Sequence, residues 1–184
     1  MSHVEQPSYT PVTFDGNIEI RDYRPMILAE VEVLGQRKQA INEGFKILAD
    51  YIFGNNTLDQ KMEMKAPFEV SEKMAMTAPV LQQQHMDKWK VRFVMPKKYS
   101  LDTVPKPNSK DVTLIPLPAK RFAVIQFTGV ADDENIKLHT DELKAYVFAK
   151  ELQQVGQPIF AFYSPPWTLP FLRRNEVMLE IGVD

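Results

Sequence analysis

The feature that most constrains the fold is an order of elements that the chain presents twice. Stretches in which apolar and polar residues alternate, a pattern typical of strands, stand before and after each of two stretches with helical apolar spacing. The helical stretches run from about Gln36 to Phe53 and from about Asp133 to Leu152. Two similar halves of this kind predict one α+β domain, in which both helices pack on antiparallel strands.

Each predicted helix has an apolar stripe and recognisable ends. The stripes consist of Ile41, Phe45, Leu48 and Ile52 in the first helix, and of Ile136, Leu143 and Val147 in the second. Gly54 suits a left-handed end of the first helix, and Gly156 is predicted to end the second. The acidic run at Asp133 favours a helix start, because the amino-terminal end of the helix dipole is positive. Gly44, inside the first helix, indicates either close approach by a neighbouring strand or ligand, or a tolerated cost of about 1 kcal/mol.

Strands are predicted where residues alternate or form short apolar runs. The runs are Tyr9–Phe14, Ile18–Tyr23, Met26–Leu34, Trp89–Met95, Asp111–Leu117, Arg121–Phe127, Ile159–Tyr163 and Asn175–Ile181. Within Ser71–Leu81, Met74 and Met76 alternate with smaller residues and favour a further strand, which Pro79 would end or place at an edge. Gln82–Lys88 is predicted to be a polar loop. Residues 1–8 are expected to be a loose tail ahead of a single domain over residues 9–184.

Length and composition exclude several classes of protein. The 184 residues are 44% hydrophobic, which is enough for one domain with a core, and include no cysteine. Disulfides, thiolate metal sites and covalent haem attachment through cysteine are therefore excluded. The 22 basic residues against 24 acidic ones leave no basic excess for nucleic acid. The sequence shows neither a signal-peptide pattern nor an apolar run long enough to span a membrane, so we expect a cytoplasmic protein.

Five segments carry a resemblance to a known family, in the family's order. They are EIRDYRP at Glu19–Pro25, GFKILADYIFGNN at Gly44–Asn56, KMAMTAPV at Lys73–Val80, WKVRFVMPKKYSLDTVPKP at Trp89–Pro107, and YSPPWTLPFLRRNEV at Tyr163–Val177. On these segments the chain resembles the SOUL haem-binding proteins over residues 9–182. The resemblance implies a distorted antiparallel β-barrel flanked by two helices, with two pseudo-symmetric halves.

The resemblance also implies a haem site in an apolar groove along the first helix, closed by the last loop. Mapped onto this sequence, it consists of Asn42, Phe45, Ala49 and Asp50 on the helix, with Trp167 and Thr168 on the loop. Phe171 and Trp167 suit stacking on a flat macrocycle, and they equally suit capping the end of the barrel. Asp50 and Thr168 stand where some relatives have lysines suited to haem propionates.

Arg173 and Arg174 are the most suggestive polar pair. Guanidinium groups bind carboxylates in a bidentate manner, so this pair suits the two propionates of haem. The alternative is that both arginines pair with neighbouring carboxylates such as Glu176 and Glu180.

No axial iron ligand stands out in the sequence. Candidate side chains are His3, His85, His139, Met62, Met64, Met74, Met76, Tyr23, Tyr51 and Tyr163, and each also fits an ordinary surface or core role. Some relatives carry a histidine ligand in the first shared segment, where this chain has Asp22. The sequence therefore predicts non-covalent haem binding, with no metal site built by the protein.

The first of two similar segments is an extra element relative to the resembled family. Lys61–Phe68 matches Lys73–Val80 twelve residues later, whereas the family has one copy. A longer hairpin would accommodate the first copy, and the sequence assigns it no function.

The leading functional hypothesis is a soluble tetrapyrrole-binding protein that buffers or carries haem. No nucleotide-binding, metalloprotease or nucleophile motif occurs in the sequence, so we expect no catalysis and assign no catalytic residue. Two alternatives remain open. The first is a binding module for other amphipathic molecules, and the second is an enzyme that removes iron from haem or opens its ring.

Overall fold

The structure is a computed structural model that describes residues 4–58, 71–165 and 167–183 of the chain. These residues form two helices, α1 (Arg37–Ile52) and α2 (Asp133–Ala149). The strands are β1 (Tyr9–Asp15), β2 (Ile18–Tyr23), β3 (Met26–Leu34), β4 (Asn56–Thr57), β5 (Val80–His85), β6 (Lys88–Val94), β7 (Lys106–Pro107), β8 (Thr113–Leu117), β9 (Lys120–Phe127), β10 (Gln154–Phe162) and β11 (Asn175–Ile181). The predicted α+β class is confirmed. The extra segment Lys61–Phe68 and its methionines lie outside the described residues, as does His3.

Nine of these strands form one antiparallel sheet, in the order β1-β2-β9-β11-β10-β5-β6-β3-β8, while β4 pairs with β7. The order contains two similar halves, β3-α1-β5-β6 and β9-α2-β10-β11, which meet where β5 pairs with β10. The strand that precedes each half pairs with the other half, β2 with β9 and β8 with β3. This exchange of strands joins the two halves into one sheet.

The sheet is open, which corrects the barrel that the family resemblance implied. The terminal strands, β1 and β8, each pair with one neighbour within the described residues. The sheet is nevertheless curved. Leu28 of β3, Leu81 of β5 and Phe122 of β9 belong to one apolar cluster on the face away from the helices, and a flat sheet would hold these strands too far apart. Curvature of the sheet, without closure, is therefore the part of the barrel description that holds.

Each helix packs on the strands of its own half. The apolar stripe of α1 lies over β3 and β6, and that of α2 lies over β9, β11 and the margin of β10. Gly44 permits the close contact of α1, since a Cβ there would lie only 2.7 Å from Val91 Cγ2 and 3.1 Å from Val31 Cγ2. At the start of α2, the Asn135 N–H donates to the Asp132 carboxylate at 2.8 Å, which satisfies one of the unpaired amides of the first turn.

Three local predictions from the sequence are wrong. Met74 and Met76 do not lie in a strand, because the chain before Val80 is irregular, and the buried Met74 donates its N–H to Ile52. Gln82–Lys88 is mostly strand, with β5 running to His85 in the middle of the sheet. Gly156 does not end α2, which stops at Ala149. Gly156 instead has φ 74° at an irregularity within β10.

The segment Glu5–Ser8 makes defined contacts, although the sequence predicted a loose tail there. The Ala78 N–H donates to the Glu5 carbonyl at 2.9 Å, and the Arg24 N–H donates to the Ser8 carbonyl at 3.1 Å. The Gln6 side chain accepts a hydrogen bond from Arg174 at 3.0 Å. This segment, called the strap below, crosses from the loop before β5 to the start of β3.

Candidate functional site

A groove lies between the two helices, over the central pair of strands. Because α1 covers β3 and β6 and α2 covers β9 and β11, strand β5 and its side of β10 lie between them. Val80 pairs with Phe162 and Gln82 pairs with Phe160, and these four side chains lie on the helix side of the sheet. They form the floor of what we call the interhelical groove.

The residues predicted on α1 divide between two sides of the helix. Phe45 contacts Phe93 edge-on, with ring centroids 5.3 Å apart, and Phe93 lies on β6, the strand next to β5. Asn42 and Ala49, three and four residues away, lie on the same side of the helix as Phe45. Asp50 lies about 140° around the helix from Phe45. Its carboxylate accepts a hydrogen bond from Asn55 at 2.6 Å, so the structure does not bring Asp50 to the groove.

The loop between β10 and β11 borders one end of this groove. It begins directly after Phe162 of the floor, and its Pro170 carbonyl accepts the N–H of Gly129, which leads into α2. The loop contains a short 3-10 helix, Pro170–Leu172. Its large apolar side chains point outward: Trp167 is 84% exposed and Phe171 is 68% exposed. The stacking or capping residues predicted from the sequence therefore form an exposed apolar surface at the loop.

The two loop arginines differ in their contacts. Arg173 is half-buried, and its Nε donates to the Thr168 carbonyl at 2.9 Å, across the loop. Arg174 donates to one carboxylate oxygen of Glu176 through Nε at 3.2 Å and through Nη2 at 3.0 Å. Its guanidinium also lies over the Tyr163 ring, 3.8 Å from the centroid. Arg174 thus adopts the paired arrangement that the sequence left as the alternative.

A second guanidinium completes the network around Glu176. The buried Arg21 of β2 donates to both oxygens of Glu176, at 2.8 and 2.9 Å, and to the Tyr23 hydroxyl at 2.9 Å. Burial alone would lower the pKa of Arg21, but the hydrogen bonds and charge of Glu176 raise it above its ordinary value. Burial, together with the charge of Glu176, raises the pKa of Tyr163. The network is therefore a fixed set of charges beneath the loop, on the face of the sheet away from the helices.

Arg37 crosses the groove from one helix to the other. From the first turn of α1 it donates to Asp133 at 2.7 Å and to the Ala131 carbonyl at 3.1 Å, both at the start of α2. A third, longer hydrogen bond of 3.5 Å reaches Gln82 of the floor. This side chain, absent from the sequence prediction, joins the two helices and the floor. A cation in the first turn of a helix is unfavourable, because the amino-terminal end of the helix dipole is positive. An arginine at such a position therefore indicates, from the sequence alone, that its side chain contacts another part of the fold.

The end of the groove away from the loop is a cavity of about 840 Å³. Trp89 and Phe160 lie in its wall with ring centroids 6.1 Å apart. Charged residues from both signs surround it, namely Arg37, Lys137, Lys144, Asp87, Asp133 and Asp141. The sequence does not predict this cavity, because Trp89 and Phe160 lie 71 residues apart and meet only through the pairing of β5, β6 and β10.

The two described histidines make different contacts. The ring of His139 stacks on Phe127 at 4.0 Å, and its Nδ1 lies 2.8 Å from the Asn135 carbonyl. His85 is exposed at the end of β5. Over residues 4–58, 71–165 and 167–183, no group of three histidine or carboxylate side chains is placed to hold a metal ion. In the same residues no helix is long and apolar enough to cross a membrane.

The sequence matches the family model of the SOUL heme-binding proteins over residues 4–180. The chain belongs to this haem-binding family, as its motifs predicted. No curated protein sequence matches the chain.

Solved structures with similar folds come from other proteins. The C-terminal domain of EcmrR superposes with a TM-score of 0.62 at 9% identity, covering 95% of this chain and 98% of that one. A hydrolase from Listeria innocua gives 0.55 at 13% identity, with coverage of 90% and 92%. SAV2435, bound to tetraphenylphosphonium, gives 0.50 at 12% identity, with coverage of 90% and 93%. At these identities the likeness is one of fold alone.

Proposed function

We propose that this protein binds haem or a related tetrapyrrole non-covalently at the loop end of the interhelical groove, and thereby buffers or carries it. The observation that most supports the proposal is the exposure of Trp167 and Phe171 on a loop that is hydrogen-bonded to the start of α2. Large apolar side chains exposed together beside a groove are typical of a surface that a ligand covers. Membership of the haem-binding family supports a macrocycle as that ligand.

The proposed contacts follow from the sides of the elements that face the groove. Phe45 and Ala49 of α1 contact one part of the macrocycle, and Trp167 and Phe171 of the loop cover another. Asn42 and Thr168 provide polar groups at the margin, as the family resemblance implied. Asp50 has no part in this site, because it lies on another side of α1 and holds Asn55.

Arg173 is the proposed partner of a propionate, and Arg174 is a positioning residue. A carboxylate near Arg173 gains a charge-assisted hydrogen bond, on the order of 1.5–3 kcal/mol when well placed. Arg174 instead ties the loop to Glu176 and, through Gln6, to the strap. Removing Arg174 should therefore weaken ligand binding only indirectly, by loosening the loop.

Burial of the ring system is the main source of affinity in this proposal. When a flat macrocycle binds, several hundred Å² of apolar surface are removed from water, and each Å² contributes about 25 cal/mol of favourable free energy. Part of this gain is offset by the entropy that the two molecules lose on association. The His139 ring is stacked on Phe127, and His85 is exposed at the end of β5, so we expect iron ligation to add little. Metal-free protoporphyrin should consequently bind about as tightly as haem, and the protein should leave bound haem chemically unchanged.

Absorbance and fluorescence titrations test this proposal. Haem and protoporphyrin should give dissociation constants within about threefold of each other, and esterified propionates should weaken both ligands. In the presence of a reductant, the haem spectrum should persist without ring opening or iron release. A hundredfold preference for haem that a His85 or His139 variant abolishes would show that iron ligation dominates. Haem turnover would instead support the enzymatic alternative.

A lipophilic cation is the rival ligand, because the similarly folded SAV2435 was solved with tetraphenylphosphonium. The natural counterion for such a cation would be the fully buried carboxylate of Glu176. In this chain Arg21 and Arg174 already bind both oxygens of Glu176. We therefore expect tetraphenylphosphonium to bind at least tenfold more weakly than protoporphyrin. Equal or tighter binding of the cation would favour the rival.

A further inference from the structure

A second cavity, of about 400 Å³, lies beneath the strap, where β3 begins and β6 and β8 end. Its volume falls in the range typical of small-molecule sites. The roof contains Glu5, Pro7 and Ser8 of the strap. The cavity shares no lining residue with the tetrapyrrole site proposed above, nor with the 840 Å³ cavity between the helices.

The interior of this cavity is aliphatic. Its apolar lining consists of Met26, Ile27, Val94, Met95 and Leu117, with prolines 7, 25, 96 and 116 and the single aromatic ring of Tyr99. Methionine side chains are flexible and adapt to the shape of an apolar ligand. A lining of this kind favours an alkyl chain over a flat aromatic ring.

The rim of the cavity is cationic. Arg24 and Lys97 are exposed there, and neither side chain has an ion pair or hydrogen bond to another of the residues that the structure describes. The one carboxylate in the lining, Glu5, accepts the backbone N–H of Lys97 at 2.9 Å. Two cations against one anion leave a net positive rim, which attracts an anion and disfavours a cation.

We propose that this cavity is a binding site for a medium-chain alkyl carboxylate, with the alkyl chain beneath the strap and the carboxylate at Arg24 and Lys97. The site is independent of haem binding. Each CH₂ added to the ligand should tighten binding about fourfold until the cavity is filled. The carboxylate should distinguish this ligand from alcohols and ammonium compounds of equal length.

Calorimetry with decanoate, decan-1-ol and decyltrimethylammonium, all below their micelle concentrations, tests the proposal on the full chain. Decanoate should bind at one site and at least tenfold more tightly than the alcohol, and the ammonium compound should bind weakest. The double variant Arg24→Gln/Lys97→Gln should remove the preference for the carboxylate, whereas Lys110→Gln, a change to an exposed lysine outside the cavity, should leave it intact. The single variant Lys97→Gln should give an intermediate loss.

Three results of the direct titrations would overturn the proposal. They are equal binding of decanoate and decanol, unchanged decanoate binding in the folded double variant, and no saturable binding of decanoate at all. Saturating the protein with protoporphyrin should leave decanoate binding unchanged. One-for-one competition would mean that decanoate occupies the interhelical groove, which would also refute this site. Failure here leaves the tetrapyrrole proposal unaffected, since no variant in this experiment touches its residues.

Discussion

Replacing Gly44 by alanine should destabilise this protein, although a change from glycine to alanine inside an ordinary helix stabilises that helix. The added Cβ would lie 2.7 Å from Val91 Cγ2, 2.9 Å from Val91 Cβ and 3.1 Å from Val31 Cγ2. Val91 Cβ is fixed to the backbone of β6, so rotation of a side chain cannot relieve that contact. Relief requires α1 to move away from the sheet, and Phe45 on the groove side would move with it.

The expected magnitude follows from two opposing contributions. Alanine gains about 1 kcal/mol over glycine in a helix interior. Overpacking of a tight core costs about 1–3 kcal/mol, and three contacts this short favour the upper part of that range. The free energy of unfolding should therefore fall by about 1–2 kcal/mol.

Urea unfolding of Gly44→Ala, Val91→Ala and the double variant tests this reasoning as a double-mutant cycle. Val91→Ala removes the Cγ2 atom that would lie 2.7 Å from the new Cβ but keeps the Cβ atom at 2.9 Å, so it should relieve part of the overpacking caused by Gly44→Ala. The two changes should therefore couple favourably, by roughly 1–3 kcal/mol. An increase of about 1 kcal/mol in stability for Gly44→Ala alone would mean that α1 does not lie this close to β3 and β6.

Three further predictions concern the core and the buried charges. Glu176→Gln leaves two guanidinium groups without their carboxylate and should cost about 3–5 kcal/mol in urea unfolding, whereas Glu180→Gln, in a partly exposed pair, should cost less than about 1 kcal/mol. Val147→Asp should lower the thermal midpoint far more than Lys110→Asp, because Val147 is 3% exposed and the new charge would be buried without a partner; equal midpoints would contradict the packing of α2. Burial raises the pKa of several tyrosines in the folded state, so above pH 10 the unfolded chain loses protons that the folded chain keeps, and stability should fall by at most about 1.4 kcal/mol per pH unit for each. The tyrosines concerned are Tyr23, Tyr51 and Tyr163. Chemical unfolding between pH 9 and 11 measures this loss, and a free energy of unfolding that does not change with pH would show that their hydroxyls are not buried.

The sequence predicted those parts of the fold that depend on local periodicity. The stripe containing Leu48 lies on the sheet as expected, and β2, β3 and β11 have the bounds that alternation indicated. Gly44 was predicted to allow close approach or to be a tolerated cost, and the structure shows close approach by β3 and β6. These features follow from which face of an element must be buried.

The remaining features depend on contacts between distant parts of the chain. Gln82 lies in the central strand β5, which pairs with β6 and β10, and its buried side chain accepts a long hydrogen bond from Arg37, 45 residues earlier. No local pattern encodes these contacts. Glu151, with φ 57°, takes the left-handed position after α2 that the sequence assigned to Gly156. The groove between the helices likewise arises from the order of strands in the sheet, whereas the sequence reached only its loop and one side of α1, through family resemblance.

The affinity of protoporphyrin for three aromatic variants tests the central claim most directly. Phe45→Ala, Trp167→Ala and Phe171→Ala each remove a ring proposed to cover the macrocycle, and each should weaken binding at least tenfold, because an aromatic side chain buries roughly 150–250 Å² when covered. The matched control is Phe14→Ala, which removes a ring that is 73% exposed on the edge strand β1. It should bind protoporphyrin as the unmodified protein does. If the three variants and the control bind equally, the ligand does not lie between α1 and this loop, and the proposed site is wrong.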